Sequence, residues 1–292
     1  MDYQAENRQA EFAVIIKKLK RRRAITVSLF AAAVALILIF TTPSEIYITG
    51  VIDQVNKGLP GWLTGILLVV ALFIFLIAYG YTILPIDKAL DEECDPEKYL
   101  ALYTALGSKQ VTDPNRQAAL YTAFFYMGRY VDAIPHAQQL TTHKKPLLRA
   151  AGHFFMAQCG YFMGDAMLLR EAALRYRAEL AMIPKMNDKN RALFDCRTAM
   201  LTVMEGLCHG NHQAVAKALP HMKAWSSVPS VTILIDTLKG IAALPRPDGG
   251  NRDEAVHRFL SVKEKGGRTC FAALAGWYLA GLSQPSSTDP TV

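Results

Sequence analysis

Two stretches of this chain carry no charged residue, 24–42 and 62–84, and they limit what it can fold into more than any other feature. A helix crosses the roughly 30 Å hydrocarbon core of a bilayer with about 20 apolar residues, rising about 1.5 Å per residue. The first stretch just reaches that length and the second exceeds it. Each charge at the bilayer centre would cost about 2.5–3.5 kcal/mol on insertion scales. Two charge-free runs joined by a short loop, 43–61, therefore read as a transmembrane hairpin rather than a pair of core helices. A cleaved signal peptide would need a short leader, an apolar core of about 7–15 residues and a small-x-small exit. Here the leader before Ala24 is long, and Phe40-Thr41-Thr42-Pro43-Ser44 has no such pattern, which favours an uncleaved anchor.

Charge sets the expected orientation. Residues 1–23 hold seven Lys and Arg, six of them between Lys17 and Arg23, while the loop holds only Lys57. Positive flanks stay on the cytoplasmic side. A multi-pass protein of the plasma membrane is expected, with the loop outside and both termini in the cytoplasm. The basic cluster from Lys17 to Arg23 would meet anionic headgroups of the bilayer. Residues 85–292 carry 24 basic against 20 acidic side chains and no basic stripe, so no nucleic-acid partner is expected. Trp62, Tyr79 and Tyr81 fall near the ends of the second span, where amphipathic rings prefer the interface. Small residues such as Ala31 and Ala35 permit close helix contact in lipid. No acidic, basic or histidine side chain lies inside either span, so no proton relay is expected.

The flanks of the hairpin have patterns of their own. Phe12, Ile15, Ile16 and Leu19 share one helical face with Lys17, Lys18 and Lys20 around it. That segment, 1–23, reads either as an amphipathic helix on the inner leaflet or as an extension of the first span. In the outer loop, Pro43-Ser44 followed by Ile48, Val51, Ile52 and Val55 predicts a short helix, ended by Asn56-Lys57-Gly58-Leu59-Pro60-Gly61. Pro85 is expected to close the second span.

After Pro85 the chain turns polar, and its helix starts are well marked. Asp95-Pro96-Glu97 supplies an N-cap, a proline at the first helical position and an acidic first turn, with Tyr99, Leu100, Tyr103 and Leu106 on the apolar face and Gly107 as the stop. Asp113-Pro114 repeats the signal. Residues 118–140 then read Ala-Ala-Leu-Tyr-Thr-Ala-Phe-Phe-Tyr-Met-Gly-Arg-Tyr-Val-Asp-Ala-Ile-Pro-His-Ala-Gln-Gln-Leu. This resembles a tetratricopeptide (TPR) repeat, over about 25 residues. Leu120, Ala123 and Phe124 match its first helix, Gly128 and Tyr130 its turn, Ala133 and Ile134 its second helix; Gln117 stands where the family has tryptophan. Weaker echoes carry turn glycines at Gly164, Gly210 and Gly250. Their spacings are 36, 46 and 40 residues, against about 34 in the family.

The resemblance implies an all-α chain: the N-terminal two-helix hairpin, 24–84, followed by a cytoplasmic TPR-like α-solenoid of stacked helical hairpins, 85–283. Residues 271–282 are expected to cap the stack, and 284–292 to form a disordered polar tail. In such repeats the first helices line an inner groove that binds peptides. Here that helix presents Gln117, Ala118, Tyr121, Thr122 and Phe125. Gln117, Tyr121, Thr122 and Phe125 are therefore the candidate protein-binding residues, with Gly128, Tyr130 and Ala133 as structural turn residues. The Lys and Asn with which one subclass grips C-terminal carboxylates are missing. Most of the aromatic residues from Tyr121 to Phe162 are expected in the core.

Little in the sequence points to chemistry. The five cysteines are odd in number, widely spaced and confined to the cytoplasmic part, which fits reduced thiols. Cys208, His209, His212 and His221 are the nearest approach to a zinc-type ligand set, but a repeat turn with exposed histidines explains them as well. There is no Gly-x-Ser-x-Gly elbow, phosphate-binding loop, kinase or dinucleotide signature. The sequence thus predicts a non-enzymatic scaffold or adaptor, without cofactor, that holds a partner protein at the cytoplasmic face. The alternatives are an accessory subunit of a transporter or secretion complex, and a membrane-bound metal-dependent hydrolase.

Overall fold

In the computed structural model the described residues are 3–41, 45–48, 51–54, 61–107, 109–183, 185–223, 229–246 and 250–283. They fall into two units, 1–86 and 87–292. The tail expected at 284–292 and the loop end at 55–60 lie outside the described residues.

The first unit is built on two long helices. Helix α1, Tyr3–Thr41, runs 39 residues without a break. The basic amphipathic segment is thus an extension of the first apolar run. At about 1.5 Å per residue α1 is roughly 60 Å long, twice the hydrocarbon thickness. Helix α2, Gly61–Asp91, contains the second apolar run and continues through Pro85. The proline costs the hydrogen bond to the carbonyl four residues back but does not end the helix as expected, because Ile86, Ala89 and Leu90 continue its apolar face into buried positions. Both helices are long and apolar enough to cross a membrane, and their apolar windows are unburied. Leu29, Ile39, Val69 and Phe73 are each more than 60% exposed. Water-soluble monomers rarely expose apolar patches above a few hundred Å².

The two runs meet antiparallel. Phe30 stacks on Phe75 with centroids 4.3 Å apart. Arg23, at the start of the first run, donates to the Tyr79 hydroxyl near the end of the second, its guanidinium carbon 4.7 Å from the ring. Between the helices, strands β1, Glu45–Ile48, and β2, Val51–Gln54, pair antiparallel with Glu45 opposite Gln54 and Ile48 opposite Val51. The helix expected here is therefore a hairpin. Ile46, Ile48, Val51 and Ile52 are β-branched, which favours strand, and only Thr49 and Gly50 separate the strands, the length of a tight hairpin loop.

The second unit is a run of helices packed in sequence: α3 (Pro96–Leu106), α4 (Pro114–Tyr126), α5 (Tyr130–Thr141), α6 (Pro146–Met163), α7 (Ala166–Ala181), α8 (Asp188–Cys208), α9 (His212–Ala218), a 3-10 turn (Leu219–His221), α10 (Pro229–Ala242), α11 (Arg252–Lys265) and α12 (Cys270–Ser283). The closest pairings are α4 with α5, α5 with α6, α6 with α7, α10 with α11 and α11 with α12. The caps follow the sequence signals. Asp95 accepts from the Lys98 amide at 3.0 Å, Asp165 from Leu168 at 2.9 Å and Asn251 from Glu254 at 3.0 Å. Each such cap stabilises its helix by about 1 kcal/mol. Gly128 and Gly164 turn the chain with φ of 76° and 75°, a region that costs other residues roughly 1–2 kcal/mol. At Gly160 a Cβ would lie 2.7 Å from the Leu169 amide nitrogen, so the missing side chain lets α7 approach α6.

The end of the run does not cap an open stack. In a linear repeat array each repeat touches only its neighbours. Here Phe271 of α12 lies 5.6 Å from Phe125 and 5.5 Å from Tyr126 of α4, and 5.2 Å from Phe162 of α6. The Tyr126 hydroxyl donates to the Ser230 carbonyl of α10 at 2.7 Å. The Arg268 amide donates to the Cys94 carbonyl at 2.9 Å. Helices α10 to α12 therefore close back on α4, and the driving force is burial of large rings: Phe125, Tyr126, Phe271 and Phe259 are all under 9% exposed.

Arg197 of α8 sits over rings of α6 and of α8 itself. Its guanidinium carbon lies 5.0 Å from the Phe154 ring and 5.3 Å from those of Phe155 and Phe194. Such contacts contribute about 0.5–2 kcal/mol each, and the residue as a whole is half-buried.

Candidate functional site

The groove predicted from the first repeat helix is not an open surface. Gln117 is 3% exposed, Tyr121 2% and Phe125 1%. Only Thr122 of the four is partly accessible, and its hydroxyl donates to the Ala118 carbonyl at 2.7 Å. The closure of α10–α12 onto α4 explains Phe125. The stack of Tyr121 on Phe155, centroids 4.1 Å apart, and its hydrogen bond to Gln158 at 2.9 Å explain Tyr121. Gln117 is drawn inward by polar partners: its amide nitrogen donates to the Val111 carbonyl, and its oxygen meets His136 Nδ1 at 2.7 Å. Gly128 lies in the α4–α5 turn, Tyr130 begins α5, and Ala133 is fully buried.

A different groove lies at the turn end of the hairpins. Its volume is about 960 Å³. One wall is Tyr130, Tyr161 and Phe162, where the α4–α5 turn meets the end of α6. The floor comes from Leu207 and Cys208 of α8 and Ile241 and Leu244 at the end of α10. Helix α12 supplies the opposite wall with Cys270, Leu274, Trp277 and Tyr278. Leu244, Pro245, Trp277 and Tyr278 also border a further cavity of about 560 Å³ that reaches Gly281 and Leu282.

Each wall is held from behind. Tyr130 stacks with Phe162 at 5.8 Å, and Phe162 meets Tyr161 edge-on at 5.0 Å. Tyr278 stacks on Phe259 at 4.7 Å, leaving its neighbour Trp277 69% exposed. The Tyr130 hydroxyl and the Cys270 thiol are 3.6 Å apart, and Cys270 Sγ donates to the Phe125 carbonyl at 3.6 Å. Among the described residues Arg246 is the only charged side chain in the lining. It donates to Nδ1 of His212 at 2.7 Å and to the Ala242 carbonyl, so it braces the rim.

The electrostatics favour neutral groups. Burial pushes the Cys270 thiol up to about 11, and burial together with Glu205 raises Cys208. Burial also lifts the phenols of Tyr130, Tyr161 and Tyr278 above their ordinary value. At neutral pH the thiols are protonated and poor nucleophiles. The chemistry on offer is apolar contact with hydroxyl and thiol donors at its edge.

The metal-like cluster does not assemble. Cys208, His209 and His221 are exposed, while His212 faces Arg246. Among the described residues no three His, Cys, Asp or Glu side chains converge as a metal site requires. The groove was missed because its residues come from the ends of five helices; the one available signal was the aromatic cluster Tyr130, Tyr161, Phe162 and Trp277, each beside a turn or near the chain end. No protein-family model matches this chain, and no curated protein or solved structure is significantly similar to it.

Proposed function

We propose that this chain is a membrane-anchored adaptor with TPR-like helical hairpins, which holds a partner protein at the cytoplasmic face of the cell membrane. The observation that carries the binding reading is the aromatic groove beside Trp277. An exposed tryptophan, backed by a stacked tyrosine and flanked by two apolar cavities, has the make-up of a binding hot spot, where truncation costs about 2 kcal/mol or more. The two apolar helices and the basic cluster between Lys17 and Arg23 support the anchoring and its orientation. Neutral thiols and an already paired Arg246 support recognition without chemistry.

Co-purification in mild detergent, comparing the wild type with Trp277→Ala, tests the reading. A partner retained in stoichiometric amount by the wild type and lost from a variant with unchanged far-ultraviolet circular dichroism is expected. A partner held equally by both, or none held by either, overturns it.

A further inference from the structure

Among the described residues Arg197 has no counter-ion: it makes no hydrogen bond and no ion pair, and its Nε is fully buried without a partner. An arginine stays protonated inside proteins, although burial pulls this one below its ordinary value. A second buried donor is in the same position. Nε2 of Gln158 is buried and unpartnered, while its Oε1 accepts from Tyr121. The two are linked through one ring: Phe155 stacks on Tyr121 and lies beneath the Arg197 guanidinium. Among the described residues the cluster therefore offers a positive charge and two buried donors, with no acceptor bonded to either.

We propose that Arg197 and Gln158 bind a small carboxylate within the aromatic enclosure of Tyr121, Phe154, Phe155 and Phe194. A carboxylate is acceptor-only and planar, which matches the edge of a guanidinium whose neighbours are ring faces. The site is separate from the Trp277 groove, and the inference stands whether or not the chain is an adaptor.

The test is thermal unfolding of the full chain in mild detergent at neutral pH, followed by far-ultraviolet circular dichroism. Sodium acetate is compared with sodium chloride and sodium phosphate at equal ionic strength. A ligand that binds only the folded state raises the midpoint by equal steps per tenfold concentration once past its Kd. Acetate is expected to do this and chloride is not. Arg197→Lys keeps the charge but loses the fork, and is expected to lose most of the acetate shift. Gln158→Glu supplies a carboxylate in place; it is expected to melt higher than the wild type without acetate and to lose the response. Should Arg197→Lys fail to fold, saturation-transfer NMR of acetate on the wild type and on Gln158→Glu gives the same comparison, with signal expected only from the wild type. No acetate shift, an equal shift in chloride, a response to phosphate alone, or full acetate response in Gln158→Glu would each overturn the proposal.

Discussion

The hydroxyl of Tyr126 spans 104 residues of sequence to reach the carbonyl of Ser230, and Ser230 in turn donates from its own hydroxyl to Asp91 at 3.2 Å. One phenol thus ties α4 to α10. Tyr126→Phe would remove this buried hydrogen bond while the Ser230 carbonyl keeps its place in the first turn of α10, and a bond of this kind contributes about 0.5–1.5 kcal/mol. A urea midpoint lowered by that amount, with unchanged helix content, is the expected result; an unchanged midpoint would mean that water replaces the phenol. His153 makes a second residue-scale prediction. It is 7% exposed, with Nδ1 unpartnered, beside a cavity of about 260 Å³ between α5, α6 and α7. Burial lowers its pKa from the usual 6.5; Glu179 opposes the shift and Arg175 adds to it. The folded state holds the neutral ring, and below about 6.5 the unfolded chain binds the proton more readily. Stability should therefore be intact above that pH and fall as the pH drops through the lower folded value. His153→Phe should flatten the urea midpoint between pH 5 and 7 relative to wild type, leaving the slope due to His136, which burial also lowers.

Elements were legible where the signal is local. Asp95-Pro96 and Asp113-Pro114 mark helix starts that the structure shows as capped helices. Gly164-Asp165 and Gly210-Asn211 lie at helix-to-helix turns, each with its polar residue capping the second helix. Signals that depend on distant partners were not legible. Pro85 reads as a stop, yet nothing in its neighbourhood says that Ile86, Ala89 and Leu90 will find cover. Phe271 reads as the start of a final capping helix. That it would insert against Phe125 and Phe162 is decided by ring packing between segments more than 100 residues apart. The same closure buried Phe125 and created the groove beside Trp277. Close helix approach is the element-scale quantity open to test. At Gly160 a new side chain would meet backbone atoms of Asp165, Leu168 and Leu169 at 2.7–3.2 Å, none of which can rotate away. Gly160→Val should cost about 1–3 kcal/mol through overpacking. Gly276, where a Cβ meets nothing within 4 Å, should accept alanine without loss, and the two urea curves compare directly.

For the molecule as a whole, the deciding question is on which side of the membrane residues 87–292 stand, and the chain carries its own reporter. Cys94, Cys159 and Cys196 are under 2% exposed, Cys270 is half-buried between Tyr130 and the Phe125 carbonyl, and Cys208 alone among the five is exposed. A membrane-impermeant maleimide at pH 8, where more of the raised Cys208 thiol ionises, should therefore report one site. The positive-inside count predicts that this site faces the cytoplasm. In intact cells Cys208 should remain unlabelled, and it should label on permeabilisation; Cys208→Ser should abolish the signal. Ser44→Cys in the Cys208→Ser background should behave in the opposite way and label from outside. The same logic gives a cause to vary. Replacing Lys17, Lys18, Lys20, Arg21, Arg22 and Arg23 by glutamine removes six of the seven positive charges ahead of the first run, while Lys57 stays in the loop. The charge difference that fixes orientation then nearly vanishes, and a mixed population should appear, with Cys208 partly labelled in intact cells. Full labelling of Cys208 in intact wild-type cells would invert the topology and place the Trp277 groove outside, where a cytoplasmic partner has no access to it.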